Sequence, residues 1–108
     1  MRRRTGLDDP VLARLRAALD EMYGDQIARV VLFGSRARGD SRPDSDYDVA
    51  VFLKVVADRW AELDRLADLR VRFLDESGAF FDAKPYAAAA YGEATPFMHE
   101  VRREGLEL

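Results

Sequence analysis

One stretch of this chain carries most of its information: Val30-Val31-Leu32-Phe33-Gly34-Ser35-Arg36-Ala37-Arg38-Gly39-Asp40, then Ser41-Arg42-Pro43-Asp44-Ser45-Asp46-Tyr47-Asp48, then Val49-Ala50-Val51-Phe52-Leu53. Two apolar runs, both rich in valine, flank a polar segment that contains glycine, serine, arginine and aspartate. Apolar runs of this kind predict strands, and the segment between them predicts a connecting loop. The layout indicates a polar site built between two strands.

The start of the polar segment is suited to phosphate oxygens. Gly34 has no Cβ, so its backbone can approach a ligand closely. Ser35 adds a hydroxyl group, and the residues after it can begin a short helix whose free N–H groups face an anion. Arg36 and Arg38 offer forked contacts to the remaining phosphate charge, although as isolated residues they are also consistent with exposed surface charges.

The end of the polar segment is suited to a divalent cation. Asp46 and Asp48 are two residues apart, so on an extended chain both side chains project to the same face. Two adjacent carboxylates repel each other unless a cation lies between them, and Mg²⁺ prefers oxygen ligands shared with phosphates. A lone Gly-Ser or Asp-X-Asp is usually a turn or a solvated loop. Their conjunction predicts a metal-dependent enzyme that acts on a nucleoside triphosphate.

The pattern of Gly34-Ser35, ten residues and Asp46-Tyr47-Asp48 resembles the DNA polymerase β-like nucleotidyltransferase superfamily, and within it the minimal nucleotidyltransferase (MNT) domains. The similarity extends from about Leu12 to the end of the chain. It implies transfer of a nucleoside monophosphate from a triphosphate to a hydroxyl, with release of pyrophosphate. It also implies one or two Mg²⁺ ions as cofactor and ATP as substrate.

Members of this superfamily carry a third carboxylate on a later strand. Asp82 is the candidate here, in the strand-like run from Ala79 to Lys84. The resemblance therefore implies catalytic and metal-binding roles for Asp46, Asp48 and Asp82, with Gly34, Ser35, Arg36 and Arg38 binding the nucleotide. An edge-strand aspartate paired with Lys84 or with an arginine is the alternative for Asp82.

Many MNT proteins are encoded beside a small helical HEPN-domain toxin and act as its antitoxin. The resemblance implies that this chain is an antitoxin that transfers AMP to a hydroxyl, namely that of a tyrosine of a cognate HEPN toxin. Two alternatives stay open: a non-catalytic antitoxin that neutralises the toxin by binding, and nucleotidyl transfer to RNA or a small molecule.

Composition limits the classes of protein and partner. The chain has 108 residues, of which 48% are apolar and 34% charged, as expected for one folded domain over residues 1–108. We expect residues 1–8 to form a flexible tail. The formal net charge of −3 argues against general nucleic-acid binding. The absence of cysteine excludes disulfides and thiolate metal sites, and no apolar run is long enough to span a membrane. We therefore expect a cytoplasmic protein.

The periodicity predicts an α/β fold: a single two-layer, polymerase β-like domain with a small mixed sheet flanked by helices. Helices are predicted from Pro10 to about Tyr23, Ser35 to about Gly39, Asp58 to about Ser77, and Pro96 to Gly105. Strands are predicted at Ile27–Phe33, Asp48–Val55 and Ala79–Lys84. The run from Ala87 to Ala90 stays open between helix and loop.

In the long helix, one apolar stripe is predicted to face the core, with Trp60 packed inside rather than serving as a stacking platform for a base. The stripe consists of Trp60, Leu63, Ala67, Val71 and Leu74. Tyr47, which lies between the two acids, is expected to point away from them and to pack.

Overall fold

The computed structural model describes residues 9–39 and 46–108, so the predicted tail at residues 1–8 and most of the predicted loop at residues 40–45 lie outside the described residues. The helices within the described ranges are α1 (Pro10–Tyr23), α2 (Ser35–Arg38), α3 (Arg59–Ser77) and α4 (Pro96–Glu104). The strands there are β1 (Ile27–Phe33), β2 (Tyr47–Leu53), β3 (Phe81–Ala87) and β4 (Leu106–Glu107). Short 3₁₀ turns cover Gly24–Gln26 and Ala88–Gly92. None of these helices is long and apolar enough to cross a membrane.

The strands form one mixed sheet in the order β3-β2-β1-β4. β1 runs antiparallel to both β2 and β4, whereas β2 and β3 are parallel. One face of the sheet packs against α1 and α3, in a core that contains Leu15, Leu19, Leu66 and Phe73. The other face packs against α4, mainly through Met98 and Val101. The predicted small mixed sheet flanked by helices is confirmed.

Local signals set the helix ends. The Asp9 carboxylate accepts a hydrogen bond from the Val11 amide at 2.8 Å, and Pro10 occupies the first turn of α1. Thr95 accepts from the Met98 amide at 3.1 Å at the start of α4. Each side chain satisfies an amide that has no partner inside the helix. These helix starts match the sequence-based prediction.

Pairing, rather than local composition, sets the strand ends. β3 stays in register with β2 from Tyr47↔Phe81 to Leu53↔Ala87, so β3 lies two to three residues later than predicted and β2 ends before Val55. β4 was not predicted, because two residues give no periodic signal. It forms because Leu106 and Glu107 pair with Leu32 and Val31 of β1.

The predicted core stripe of α3 is wrong. The side chains that α3 buries are those of Leu66, Leu69 and Phe73, whereas Trp60 and Val71 are largely exposed. Trp60 therefore does not pack in the core, contrary to the prediction. Both stripes have helical spacing, and the position of α3 on the sheet decides which one is buried.

Candidate active site

The antiparallel pairing of β1 and β2 brings the two halves of the sequence motif together. Phe33, the last residue of β1, pairs with Asp48 near the start of β2. Gly34 follows directly, with φ of +78°, a conformation that L side chains rarely adopt. A Cβ added to Gly34 would lie 2.6 Å from Oδ2 of Asp48. Glycine is therefore required both by the backbone angle and by the close approach of the Asp48 carboxylate.

Ser35 begins the single-turn helix α2, which comes directly after Gly34 at the end of β1. The Gly34 carbonyl accepts hydrogen bonds from the amides of Ala37 and Arg38, each at 3.1 Å, and the Ser35 carbonyl accepts from Gly39 at 3.0 Å. Ala37 is buried and anchors the turn. The structure thus places Gly34 and Ser35 directly after β1, with Gly34 against the Asp48 carboxylate.

Asp82 lies beside Asp48 in the parallel pair of strands. The two residues are register partners, and partners in neighbouring strands project from the same face of a sheet. β3 is an edge strand of the sheet, as the alternative explanation of Asp82 requires. Among the described residues, however, no ion pair joins Asp82 to Lys84 or to an arginine.

Asp46 precedes β2 and is exposed. It adds to the negative potential at Asp48. Within residues 9–39 and 46–108, no three acidic, histidine or cysteine side chains are arranged closely enough to hold a metal ion. Asp48 and Asp82 are partners in neighbouring strands, whereas Asp46 lies one residue before β2 begins. The metal-binding roles of all three acids stay predictions.

The surroundings of Asp48 disfavour its charged form. Burial raises the pKa of the Asp48 carboxyl, and the negative charges of Asp82 and Asp46 raise it further, while Lys84 and Arg38 act in the opposite direction. A bound cation would therefore stabilise the charged form of Asp48 more than it would stabilise an ordinary surface carboxylate. The donor set, which consists of carboxylate oxygens, suits a hard divalent ion.

The two arginines of the motif contact protein groups. The Arg36 guanidinium lies 4.0 Å from the centroid of the Tyr47 ring. Nη1 of Arg38 lies 3.4 Å from Oε2 of Glu104 and 3.9 Å from Oε1 of Glu100, both on α4. Arg38 lies close enough to Asp48 to lower the pKa of that carboxyl, whereas Arg36 stacks on Tyr47, whose ring faces away from Asp48. The predicted roles of both arginines in nucleotide binding stay predictions.

Tyr47 points away from Asp48, as its position in the strand predicts. It is buried in the core on the α1 side of the sheet, and its hydroxyl donates to Oδ2 of Asp9 at 3.0 Å. Burial, followed by this hydrogen bond, raises the pKa of Tyr47. Tyr47 therefore ties the start of β2 to the start of α1.

Sequence reasoning missed an aromatic cluster next to the acids. Phe97 of α4 packs edge-on against Phe33, with ring centroids 5.3 Å apart, and lies 5.7 Å from the Tyr86 ring. Phe33 pairs with Asp48, and Tyr86 follows Asp82 by four residues along β3. The spacing of Asp82, Lys84 and Tyr86 could have indicated that Tyr86 lies on the same face of the sheet as Asp82, because alternate residues of a strand share a face.

Comparison with protein families identifies the type of domain. The family model described as a nucleotidyltransferase domain matches residues 12–95, which include Gly34, Ser35 and all three acids. No curated protein gives a significant match to the chain.

Two solved structures are similar in fold. The first is described as a toxin-antitoxin with AMP-PNP; it is 23% identical, with a TM-score of 0.56 over 87% of this chain and 69% of the other. The second is a mutant of the toxin-antitoxin MntA-HpeT in which two aspartates, two residues apart, are replaced by glutamate. It is 21% identical, with a TM-score of 0.55 and the same two coverages. At these identities the likeness shows the fold alone.

Proposed function

Because the chain belongs to the nucleotidyltransferase domain family, we propose that it transfers AMP from ATP to a hydroxyl of a partner protein in a Mg²⁺-dependent reaction. The proposed acceptor is a tyrosine of a HEPN-domain toxin, so that the chain acts as an antitoxin in the cytoplasm. The arrangement around Asp48 carries the proposal: the backbone of Gly34 lies against its carboxylate, and Asp82 is its partner in the neighbouring strand.

The acids at this junction fit a divalent cation. The raised pKa of Asp48 reflects a cost of ionisation that a bound cation would relieve. Asp48 and Asp82 would hold the ion, with Asp46 joining them from the end of the loop. Bound Mg²⁺ supplies neutralisation of the charge on the triphosphate and on the departing pyrophosphate.

The neighbouring residues would hold the nucleotide. The Gly34 backbone and the Ser35 hydroxyl would bind the outer phosphates, together with the first amides of α2, which have no carbonyl partner within the helix. Arg38 would contribute positive charge near Asp48, and Arg36 would have to leave the Tyr47 ring to reach the phosphates. Arg38 would divide its contacts between the phosphates and Glu104, with which it pairs at 3.4 Å.

The proposed reaction is a direct displacement at phosphorus. The acceptor oxygen forms a bond to the α-phosphorus, while the bond from that phosphorus to the oxygen bridging to the β-phosphate breaks. The hydroxyl proton passes to Asp82, which acts as the general base. The products are an AMP ester of the acceptor and pyrophosphate.

A protein acceptor is favoured over RNA. The net charge of −3 gives no general attraction to a polyanion. The fold is similar to that of two proteins described as toxin-antitoxins, one of them with AMP-PNP, which supports a toxin partner and a nucleotide donor. The mutated aspartates of the second have the same spacing as Asp46 and Asp48.

The test uses ATP labelled at the α-phosphate. The protein is incubated with labelled ATP, Mg²⁺ and the product of the adjacent gene, in parallel with Asp48→Asn. We expect label on the partner with the unaltered protein only, and mass spectrometry should locate it on a tyrosine. Neutralisation of the partner without transfer of label would replace the proposal with a binding antitoxin. Label on added RNA but not on protein would assign an RNA substrate.

A further inference from the structure

Helix α3 carries a second apolar stripe, which lies outside the core. Three residues of α3 are buried against the sheet: Leu66, Leu69 and Phe73. On another side of the helix lies a stripe of five apolar residues, here called the α3 stripe, which consists of Trp60, Leu63, Ala67, Val71 and Leu74. At about 1.5 Å of rise per residue, this stripe is about 21 Å long, or four helical turns.

The α3 stripe is exposed at its largest side chain. Trp60 is 78% exposed and Val71 is 68% exposed, and Ala67 is exposed as well. Leu63 and Leu74 are half-buried, yet among the described residues they belong to neither of the two core clusters. A tryptophan in water on a straight apolar stripe is unfavourable for an isolated domain and is typical of an interaction surface.

An acidic row borders the α3 stripe. Asp64, Asp68 and Asp75 are exposed, and their spacing of four and seven residues places them on one side of the helix. Asp64 lies one turn after Trp60, and Asp75 lies one turn after Val71. In the described part of the chain none of the three acids forms an ion pair, so the row places three carboxylates along one side of the stripe.

The edge of the sheet beside α3 is not the docking feature. β3 is an edge strand, but Pro85 has no N–H to donate. The Pro85 carbonyl accepts from Nη1 of Arg59 at 2.6 Å. An added strand would lose ladder hydrogen bonds at this point, whereas the α3 stripe exposes Trp60 and Val71 to solvent.

We infer that the α3 stripe binds an amphipathic helix of a protein partner, with the partner's apolar residues on the stripe and its lysines or arginines on the acidic row. Two helices pack through such stripes when each offers apolar residues at three- and four-residue spacing. A second copy of this chain is disfavoured, because it would add a second acidic row at the same interface. The inference goes beyond nucleotide transfer and does not depend on it.

The test uses a labelled synthetic peptide of about four helical turns, with leucines at helical spacing and lysines on both flanks. A matched peptide carries glutamates in place of the lysines. We expect saturable binding of the lysine peptide by fluorescence anisotropy, with a blue shift of the emission of Trp60, the only tryptophan of the chain. Trp60→Ala should weaken binding at least about tenfold.

A charge-matched pair of variants tests the acidic row. Asp64→Asn with Asp68→Asn should weaken binding of the lysine peptide by roughly three- to tenfold at low salt. Glu21→Gln with Asp25→Asn removes the same charge from exposed positions elsewhere and should leave binding unchanged. Circular dichroism confirms that each variant is folded.

Four results would overturn the inference. One is equal binding of the lysine and glutamate peptides, and another is equal weakening by the two pairs of substitutions. A third is a wild-type dimer that Trp60→Ala converts to a monomer, which would assign the stripe to a second copy. The last is peptide binding only after removal of residues 1–8, which would assign the acidic row to the chain's own Arg2-Arg3-Arg4.

Discussion

The junction of β1 and β2 and the exposed side of α3 depart from the usual distribution of polar and apolar residues in opposite directions. At the junction, Asp48 is half-buried with Asp82 beside it, on a sheet whose fully buried residues, within the described part of the chain, are all apolar. On α3, Trp60 and Val71 are apolar side chains in water. Neither arrangement is favourable for a domain without ligands. The contrast supports the two proposals, a charged ligand at the junction and an apolar partner on α3.

The largest expected effect tests the first region. Asp48→Asn should lower the rate of nucleotide transfer by at least about 10³-fold, because metal ligation contributes several kcal/mol to transition-state stabilisation. The measurement is transfer of α-labelled phosphate to the partner. As a control, Trp60→Ala should retain nucleotide transfer to a short tyrosine-containing peptide, because Trp60 lies outside the proposed active site. Activity of Asp48→Asn within tenfold of wild type would remove the assignment of this site.

The two apolar stripes of α3 should differ sharply in their contribution to stability. Phe73 is 4% exposed and packs edge-on against Phe81 at 5.3 Å, so Phe73→Ala should cost about 3 to 5 kcal/mol. Trp60→Ala should change the free energy of unfolding by no more than about 0.5 kcal/mol. Urea unfolding followed by circular dichroism measures both. Similar losses in the two variants would mean that the stripe is covered within the protein itself.

A glycine comparison isolates the contact at the active site. Gly34→Ala should destabilise the protein by about 1 to 3 kcal/mol, since it combines backbone strain with a clash against Oδ2 of Asp48. Gly78 has a similar φ of +75° but no atom within 4 Å of an added Cβ, so Gly78→Ala reports the strain alone. The excess cost at Gly34 should shrink in an Asp48→Ala background. If it does not, the carboxylate is not what excludes a side chain there.

The smallest expected effect is a pH dependence of the folding stability that comes from Asp48. Because the pKa of Asp48 is raised above its ordinary 3.8, the folded chain binds this proton more tightly than the unfolded chain. The contribution of Asp48 to stability therefore falls as pH rises from about the ordinary value through the raised pKa. Without divalent cations, Asp48→Asn should be more stable than wild type at neutral pH.

The measurement is the difference in melting temperature between Asp48→Asn and wild type at acidic and neutral pH. We expect a gap of a few degrees or less at neutral pH, since Asp48 is partly exposed to solvent. The gap should narrow in acid and on addition of Mg²⁺. A gap that is independent of pH would show that desolvation of the Asp48 charge is not its source.

The sequence by itself determined the local features of this protein. The predicted helix starts at Pro10 and Pro96 are those of α1 and α4, because capping by Asp9 and Thr95 depends on residues close in the chain. Ile27–Phe33 was predicted with the observed bounds. The motif of Gly34, Ser35 and the two acids was likewise readable, since its spacing carries the chemical signal.

Only the tertiary structure decided which features come together. It placed Asp82 beside Asp48 through the register of two parallel strands, which no local pattern specifies. It buried Phe73 rather than Trp60, because both have helical spacing and only the packing of α3 on the sheet selects one stripe. It also created β4 from two residues that β1 recruits. Each of these depends on contacts between distant parts of the chain, whose free energy is absent from any short window of sequence.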